Sequence, residues 1–269
     1  MPGLPEVTFI DAIDALVSQD QEWVPSAPEH SLYLRPFMIA THPDLNFAKP
    51  SPSCLFIVIA APSAGYFTGP VRPVSVWLCQ DFSRAAPGGT GAAKTGGNYA
   101  GAMAGQLQAA EHGCEQVVWL DALEHRWVEE LSGMNLFFVY GSGADTRIMT
   151  PALTGSLLPG ITRDTLLTLA RDLGIRAEEG RISVDHWRAE CLSGAMTEVF
   201  ACGTAAMIAP IGMVCGPGGS WTVGGGRPGP LALRLRHHLL GIQFGHIPDP
   251  HGWIHPVMPR DEFAELIEP

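Results

Sequence analysis

Lysine is almost missing from this chain. Of its 16 basic residues, 14 are arginine and only two, Lys49 and Lys94, are lysine, although lysine is ordinarily among the commonest residues. A drift toward arginine accounts for the deficit, but not for a lysine kept in the middle of a glycine-rich loop. An amine can shed its proton and a guanidinium cannot, so Lys94 stands out as a candidate for chemistry. Long apolar runs are missing too. The longest, Cys54 to Ala61, has eight residues, against the roughly 20 that cross a bilayer, so no membrane partner is expected. No basic-then-apolar leader follows Met1, and a cytoplasmic protein is expected. The six cysteines form no C-x-x-C pair and no zinc spacing, which fits reduced thiols and gives no metal site. Positive charge is scarce: 16 basic against 27 acidic residues leave a net charge of −11, with no basic patch for nucleic acid. Disorder is excluded, because 46% of residues are apolar and only 16% charged.

What is present fits one large domain or two modest ones. Apolar spacing predicts a helix over 6–18, followed by strands over Ser31–Ala40 and Leu55–Ala60. The breaker-rich stretch 62–73 is the expected interdomain linker, between a first region over 1–61 and a large domain over 74–269. One helix and two strands cannot easily bury their apolar faces alone. Beyond the linker, strands are expected at Val74–Cys79, Gln116–Leu120, Leu136–Tyr140 and Arg147–Thr150. Helices are expected at Asn98–Glu111, at Thr162–Leu173 ending on Gly174, at Val184–Leu192 and at Leu231–Leu240. Gly216–Gly229 is expected as a hairpin loop around a short Ser-Trp-Thr-Val strand.

The densest unusual segment runs from Pro87 to Tyr99, Pro-Gly-Gly-Thr-Gly-Ala-Ala-Lys-Thr-Gly-Gly-Asn-Tyr. A plain strand-to-helix loop is one reading. A phosphate-binding P-loop is a second: Gly88 to Thr95 is one residue away from G-x-x-x-x-G-K-[ST]. Against it, Ala93 replaces a glycine that the wrap needs, and Gly96-Gly97 follows where a helix should begin. The third reading is a Schiff-base lysine, with glycines giving room and Tyr99 a hydroxyl. Were the partner pyridoxal phosphate, a carboxylate for the pyridine nitrogen and an anion nest for the phosphate would be needed. Glu129 and Glu130 stand at the mouth of an apolar strand. Leu158–Asp164 runs from a turn into a helix whose first amides, at Ile161 and Thr162, have no helical acceptor. Phe200–Ala206 offers a second small-residue turn, with the Thr204 hydroxyl.

These runs resemble the branched-chain amino-acid aminotransferases, fold-type IV pyridoxal-phosphate enzymes. The likeness lies in Leu32-Tyr-Leu-Arg35-Pro, Gly88 to Tyr99, Glu130-Leu-Ser-Gly-Met-Asn135, Leu157 to Arg163 and Glu198-Val-Phe-Ala-Cys-Gly-Thr-Ala205, in order along most of the chain. The resemblance implies an α+β fold: a large domain built on a pseudo-barrel of mixed strands with surrounding helices, plus a remnant of an α/β small domain whose first part is missing. It implies pyridoxal 5'-phosphate on Lys94, with Tyr99 at the phenolic oxygen and Glu130 at the pyridine nitrogen. Arg84 would be a phosphate-side arginine, and Leu158, Ile161, Thr162 and Thr204 the phosphate cradle. Tyr33 and Arg35 would meet the substrate, with Ala205 beside its carboxylate and Tyr66 along the pocket wall. The implied reaction moves the amino group of leucine, isoleucine or valine to 2-oxoglutarate, giving glutamate, in a homodimer. A D-amino-acid transaminase, an aminodeoxychorismate lyase or a shortened cofactor-binding remnant would share Lys94 and Glu130. Asn46 and Phe47 depart from the family's usual residues in a small-domain loop.

Overall fold

A computed structural model describes residues 3–44, 48–67 and 69–257, so Asn46 and Phe47 lie outside the described residues. The chain divides into two compact units, Met1–Thr68 with Asp249–Pro269, and Gly69–Pro248.

In the first unit, helix α1 (Glu6–Gln19) precedes an antiparallel hairpin of β1 (Ser31–Ala40) and β2 (Cys54–Ser63). The pairing runs from Ser31 opposite Ser63 to Ala40 opposite Cys54. Pro36 sits inside β1 without penalty, because a strand with one partner has an open edge for the missing amide. Phe9 of α1 packs on Phe56 with ring centroids 5.8 Å apart. The C-terminal segment returns to this unit, where His255 Nε2 meets Asp14 at 2.9 Å. Strand β2 runs past its expected end, through Pro62 to Ser63.

The second unit holds β3 (Val74–Cys79), α2 (Gly96–Glu111), β4 (Gln116–Leu120), β5 (Val128–Leu131), β6 (Met134–Tyr140), β7 (Arg147–Pro151), α3 (Ile161–Asp172), β8 (Arg176–Gly180), α4 (Val184–Ser193), β9 (Met196–Gly203), β10 (Met207–Gly216), β11 (Gly219–Thr222) and α5 (Pro230–Gln243). Six strands close on themselves. β3 runs parallel to β4; β4, β5, β6, β9 and β10 follow in antiparallel steps; β10 lies parallel to β3 again. The outcome is a closed six-stranded pseudo-barrel, with β7–β8 and β11 hung on its rim. Every strand of the ring sends side chains to one common cluster: Val76, Val118, Leu131, Leu136, Ala201 and Val214. In so small a ring the side chains themselves fill the interior. Their alternates point outward: α2 covers Trp77, Val117 and Trp119, while α3 and α5 cover Phe137, Phe200, Cys202 and Ile208. Each such burial stabilises by about 1.5–3 kcal/mol.

Several expectations need correction. Phe200–Gly203 is not part of a turn but the end of β9, and the turn itself is Thr204–Ala206. Glu129 and Glu130 do not stand at a strand's mouth; they lie inside β5, joined to β6 by the tight turn Ser132-Gly133. Helix α2 starts at Gly96, two residues before its expected start. Two glycines in a first turn are poor helix formers, but Asn98 fixes the start from within. Helix α3 ends as expected, with Gly174 just past it in the left-handed region (φ +73°) that a side chain disfavours.

Candidate active site

One row of residues crosses five neighbouring strands in register: Trp119, Glu130, Asn135, Cys202 and Ile208. Cross-strand partners share a face, so this row reads the outer wall of the barrel. Its ends are apolar and covered, Trp119 by α2 and Cys202 and Ile208 by α3 and α5. Its middle, Glu130 and Asn135, is polar and lies between the two helix-covered patches. Both side chains are nonetheless buried, at 2% and 5% exposure. Buried polar groups need partners, and here those partners come from loops.

Glu130 takes two. Its Oε1 pairs with Arg84 Nε, and its Oε2 accepts the Leu158 amide at 3.1 Å. Burial pushes the carboxyl up to about 7, against the pull of the Arg84 guanidinium, the Leu158 amide and the Lys94 ammonium. Asn135 reaches the same loop, donating to the Leu158 carbonyl at 3.0 Å. Glu129, the neighbouring carboxyl of β5, accepts from the Ser156 hydroxyl, and burial raises it as well. The Arg84 guanidinium is turned to Glu130 and to the carbonyls of Gly91 and Ser156.

Lys94 stands at the end of the loop that leads into α2. Its Nζ lies 3.3 Å from the hydroxyl of Tyr99, in the first turn of α2, and both residues are exposed. The loop is shaped by Asn98, a buried side chain that donates to the Thr90 carbonyl at 2.8 Å and the Ala93 carbonyl at 2.9 Å. Thr90 answers with its hydroxyl on Asn98 Oδ1 at 2.7 Å. The amides of Gly89, Ala93 and Thr95 donate to Ala86, Thr90 and Ala93 within the same segment. A P-loop needs such amides for phosphate, so that reading is set aside on this ground. Of the two grounds given from sequence, the second fails, because a helix does begin at Gly96.

The other expected residues distribute as follows. Ile161 and Thr162 form the first turn of α3, whose N-cap, Gly160, has no side chain to accept their amides. Ile161 and Thr204 are exposed, as is Ala205. The Leu158 amide is already given to Glu130. Tyr33, Arg35 and Tyr66 belong to the first unit, where Arg35 donates to the Tyr33 hydroxyl at 2.7 Å and lies over its ring. Sequence reasoning missed Asn98, Asn135 and Ser156. An amide interrupting an apolar run, as in Met134-Asn-Leu-Phe-Phe, was the available signal. Among the described residues, no group of three or more His, Cys, Asp or Glu side chains gathers to hold a metal. No described helix is long and apolar enough to cross a membrane.

Comparison with known proteins bears on this geometry. The family model for amino-transferase class IV matches residues 5–214. A probable branched-chain-amino-acid aminotransferase of Streptomyces coelicolor is 58% identical over 256 residues, covering 95% of this chain and 69% of that protein. The Mycolicibacterium smegmatis branched-chain-amino-acid aminotransferase is 54% identical over 255 residues, covering 94% of this chain and 69% of that protein. The crystal structure of the Escherichia coli branched-chain amino acid aminotransferase superposes with a TM-score of 0.79 at 30% identity, over 96% of this chain and 79% of that one.

Proposed function

This chain belongs to the class IV amino-transferase family, and we propose that it is a branched-chain amino-acid aminotransferase, passing the amino group of leucine, isoleucine or valine to 2-oxoglutarate with pyridoxal 5'-phosphate held on Lys94. Fold-type IV aminotransferases use that cofactor. The observation that carries the assignment to these residues is an exposed amine 3.3 Å from a phenol, linked through one loop to a buried carboxylate. The donor set fits a phosphorylated pyridine aldehyde: an amine for the carbonyl, a hydroxyl for the phenolic oxygen, an acid for the ring nitrogen and helix amides for the phosphate.

When bound, the cofactor supplies an electron sink for charge developing at the substrate's Cα. The chain's own residues do the rest. Lys94 Nζ would take the Cα proton and pass it to the carbon that carried the aldehyde, a general base and then acid held at short range by its loop. Glu130 keeps a proton on the ring nitrogen through a charge-assisted hydrogen bond. Tyr99 donates from its hydroxyl. The amides of Ile161 and Thr162 and the hydroxyls of Thr162 and Thr204 take the phosphate, favoured by the α3 dipole. Leu158 serves the acid rather than the phosphate. Tyr33, Arg35, Tyr66 and Ala205 are the substrate residues of this proposal. We place the enzyme in the cytoplasm as a homodimer, in keeping with six free cysteines.

Borohydride reduction of the cofactor-loaded protein tests it. A pyridoxyl label on Lys94 alone, and loss of the visible band in Lys94→Ala, are expected. A label on Lys49 would overturn the assignment. Leucine and 2-oxoglutarate should yield glutamate, whereas a preference for D-amino acids would favour the sister activity.

A further inference from the structure

Arg84 ties three segments of the second unit together. Its side chain is 8% exposed. Nε pairs with the Glu130 carboxylate; one terminal nitrogen donates to the carbonyls of Ser156 at 3.0 Å and Gly91 at 3.3 Å; the other donates to Gly91 at 3.1 Å. Gly91 lies three residues before Lys94, and Ser156 lies in the loop that leads to the α3 N-terminus. The two loops touch backbone to backbone. A Cβ on Gly91 would sit 2.4 Å from Ser156 Cα, so both carbonyls converge on one guanidinium. We propose that Arg84 is a positioning residue that holds the Glu130 carboxylate toward the pyridine nitrogen, rather than a ligand of the phosphate. The proposal rests on the reading of Lys94 and Glu130 given above.

The chemistry favours arginine for this task. A planar fork can serve a carboxylate and two carbonyls at once, which an ammonium cannot. Removing it leaves Glu130 buried with only the Leu158 amide. A carboxylate so stripped takes up a proton, and a neutral acid no longer offers a charge to the protonated ring. Glu129 adds to the effect, since its own charge opposes that of Glu130. Ser156 links the pair, its hydroxyl on Glu129 and its carbonyl on Arg84. The damage falls on the ring nitrogen and spares the phosphate.

Pyridoxal and pyridoxal 5'-phosphate separate the two roles, because only the second carries a phosphate. Their affinities for the full chain follow from the visible band that each aldehyde forms. Arg84→Gln should weaken both by the same factor, on the order of tenfold, as for the loss of one charge-assisted hydrogen bond. The ratio of the two affinities should stay unchanged. In a Glu130→Gln background the same substitution should add little, since the two residues act as a pair. Should Arg84→Gln fold poorly by circular dichroism, Arg84→Lys carries the same test, keeping the charge but not the fork. Loss of affinity for the phosphorylated aldehyde alone would overturn the proposal, and so would no loss for either. A parent protein that forms no band with either aldehyde would overturn the reading of Lys94 itself. Phosphate-selective loss beside a normal parent rejects only the role of Arg84.

Discussion

The two units differ in how they treat apolar side chains. Among the described residues, every buried apolar side chain lies between Val74 and Ile242, in the second unit. In the first unit only Ser18 is buried among the described residues, while Val7, Trp23, Phe37, Ile39, Leu55 and Ile59 are exposed. The closed ring explains half of the contrast, because six strands give an interior that needs nothing else to cover it. The hairpin explains the other half, because two strands and one helix leave a sheet face open. Folding energy and the candidate chemistry are thus concentrated in the same unit. The first unit offers surface.

The sharpest way to break that comparison is to cut one ring of carbon from each unit. Phe200, fully buried and stacked on Phe137 at 5.3 Å, should cost about 3–5 kcal/mol as Phe200→Ala. Phe56→Ala, at a half-buried site, should cost about 1 kcal/mol, in proportion to the smaller area it covers. Equal losses in denaturant unfolding would mean that the first unit has a core after all.

A smaller effect comes from pH. The Glu130 carboxyl is raised in the folded protein to about 7 from 4.5, so the folded state holds its proton more tightly than the unfolded one. Its contribution to stability is therefore full below about pH 4.5 and is lost as pH rises through about 7, a matter of a few kcal/mol. Melting curves of cofactor-free protein should show this decline, and Glu130→Gln should flatten it. A decline of the same size in the variant would assign it elsewhere.

The smallest expected effect concerns helix starts. Glu198 of β9 accepts the Leu231 and Ala232 amides of α5, each at 2.9 Å, whereas α1 begins at Pro5 with no side-chain cap. Glu198→Gln keeps one acceptor of two and should cost about 1–2 kcal/mol. No change in melting temperature would show that water replaces the lost acceptor.

Much of this was legible in the residues. Val74–Cys79 and Gln116–Leu120 are apolar but for Ser75 and Gln116 because both faces are covered, and such runs are plain to see. β5 was hidden by two adjacent carboxylates, β8 by its charge (Arg-Ala-Glu-Glu-Gly), and β10 by Pro210 and its glycines. Lys94 and Tyr99 were legible because they lie in one short glycine-rich segment. Glu130 was legible as an acid, but not its burial, since strand register lies outside any local window. The partners of Arg84 were hidden for the same reason. What it faces depends on two loops and a strand that meet only in the fold.

The close approach at Gly91 has a consequence for how this sequence can drift. Every single-base change in a glycine codon that alters the residue yields one with a Cβ or a stop. At Gly91 that atom would fall within 2.5 Å of three backbone atoms of Ser156, where no flexible side chain can yield. Gradual exchange therefore has no first step at this position, three residues before the lysine. A lineage could change Gly91 only after the loop around Ser156 had already moved.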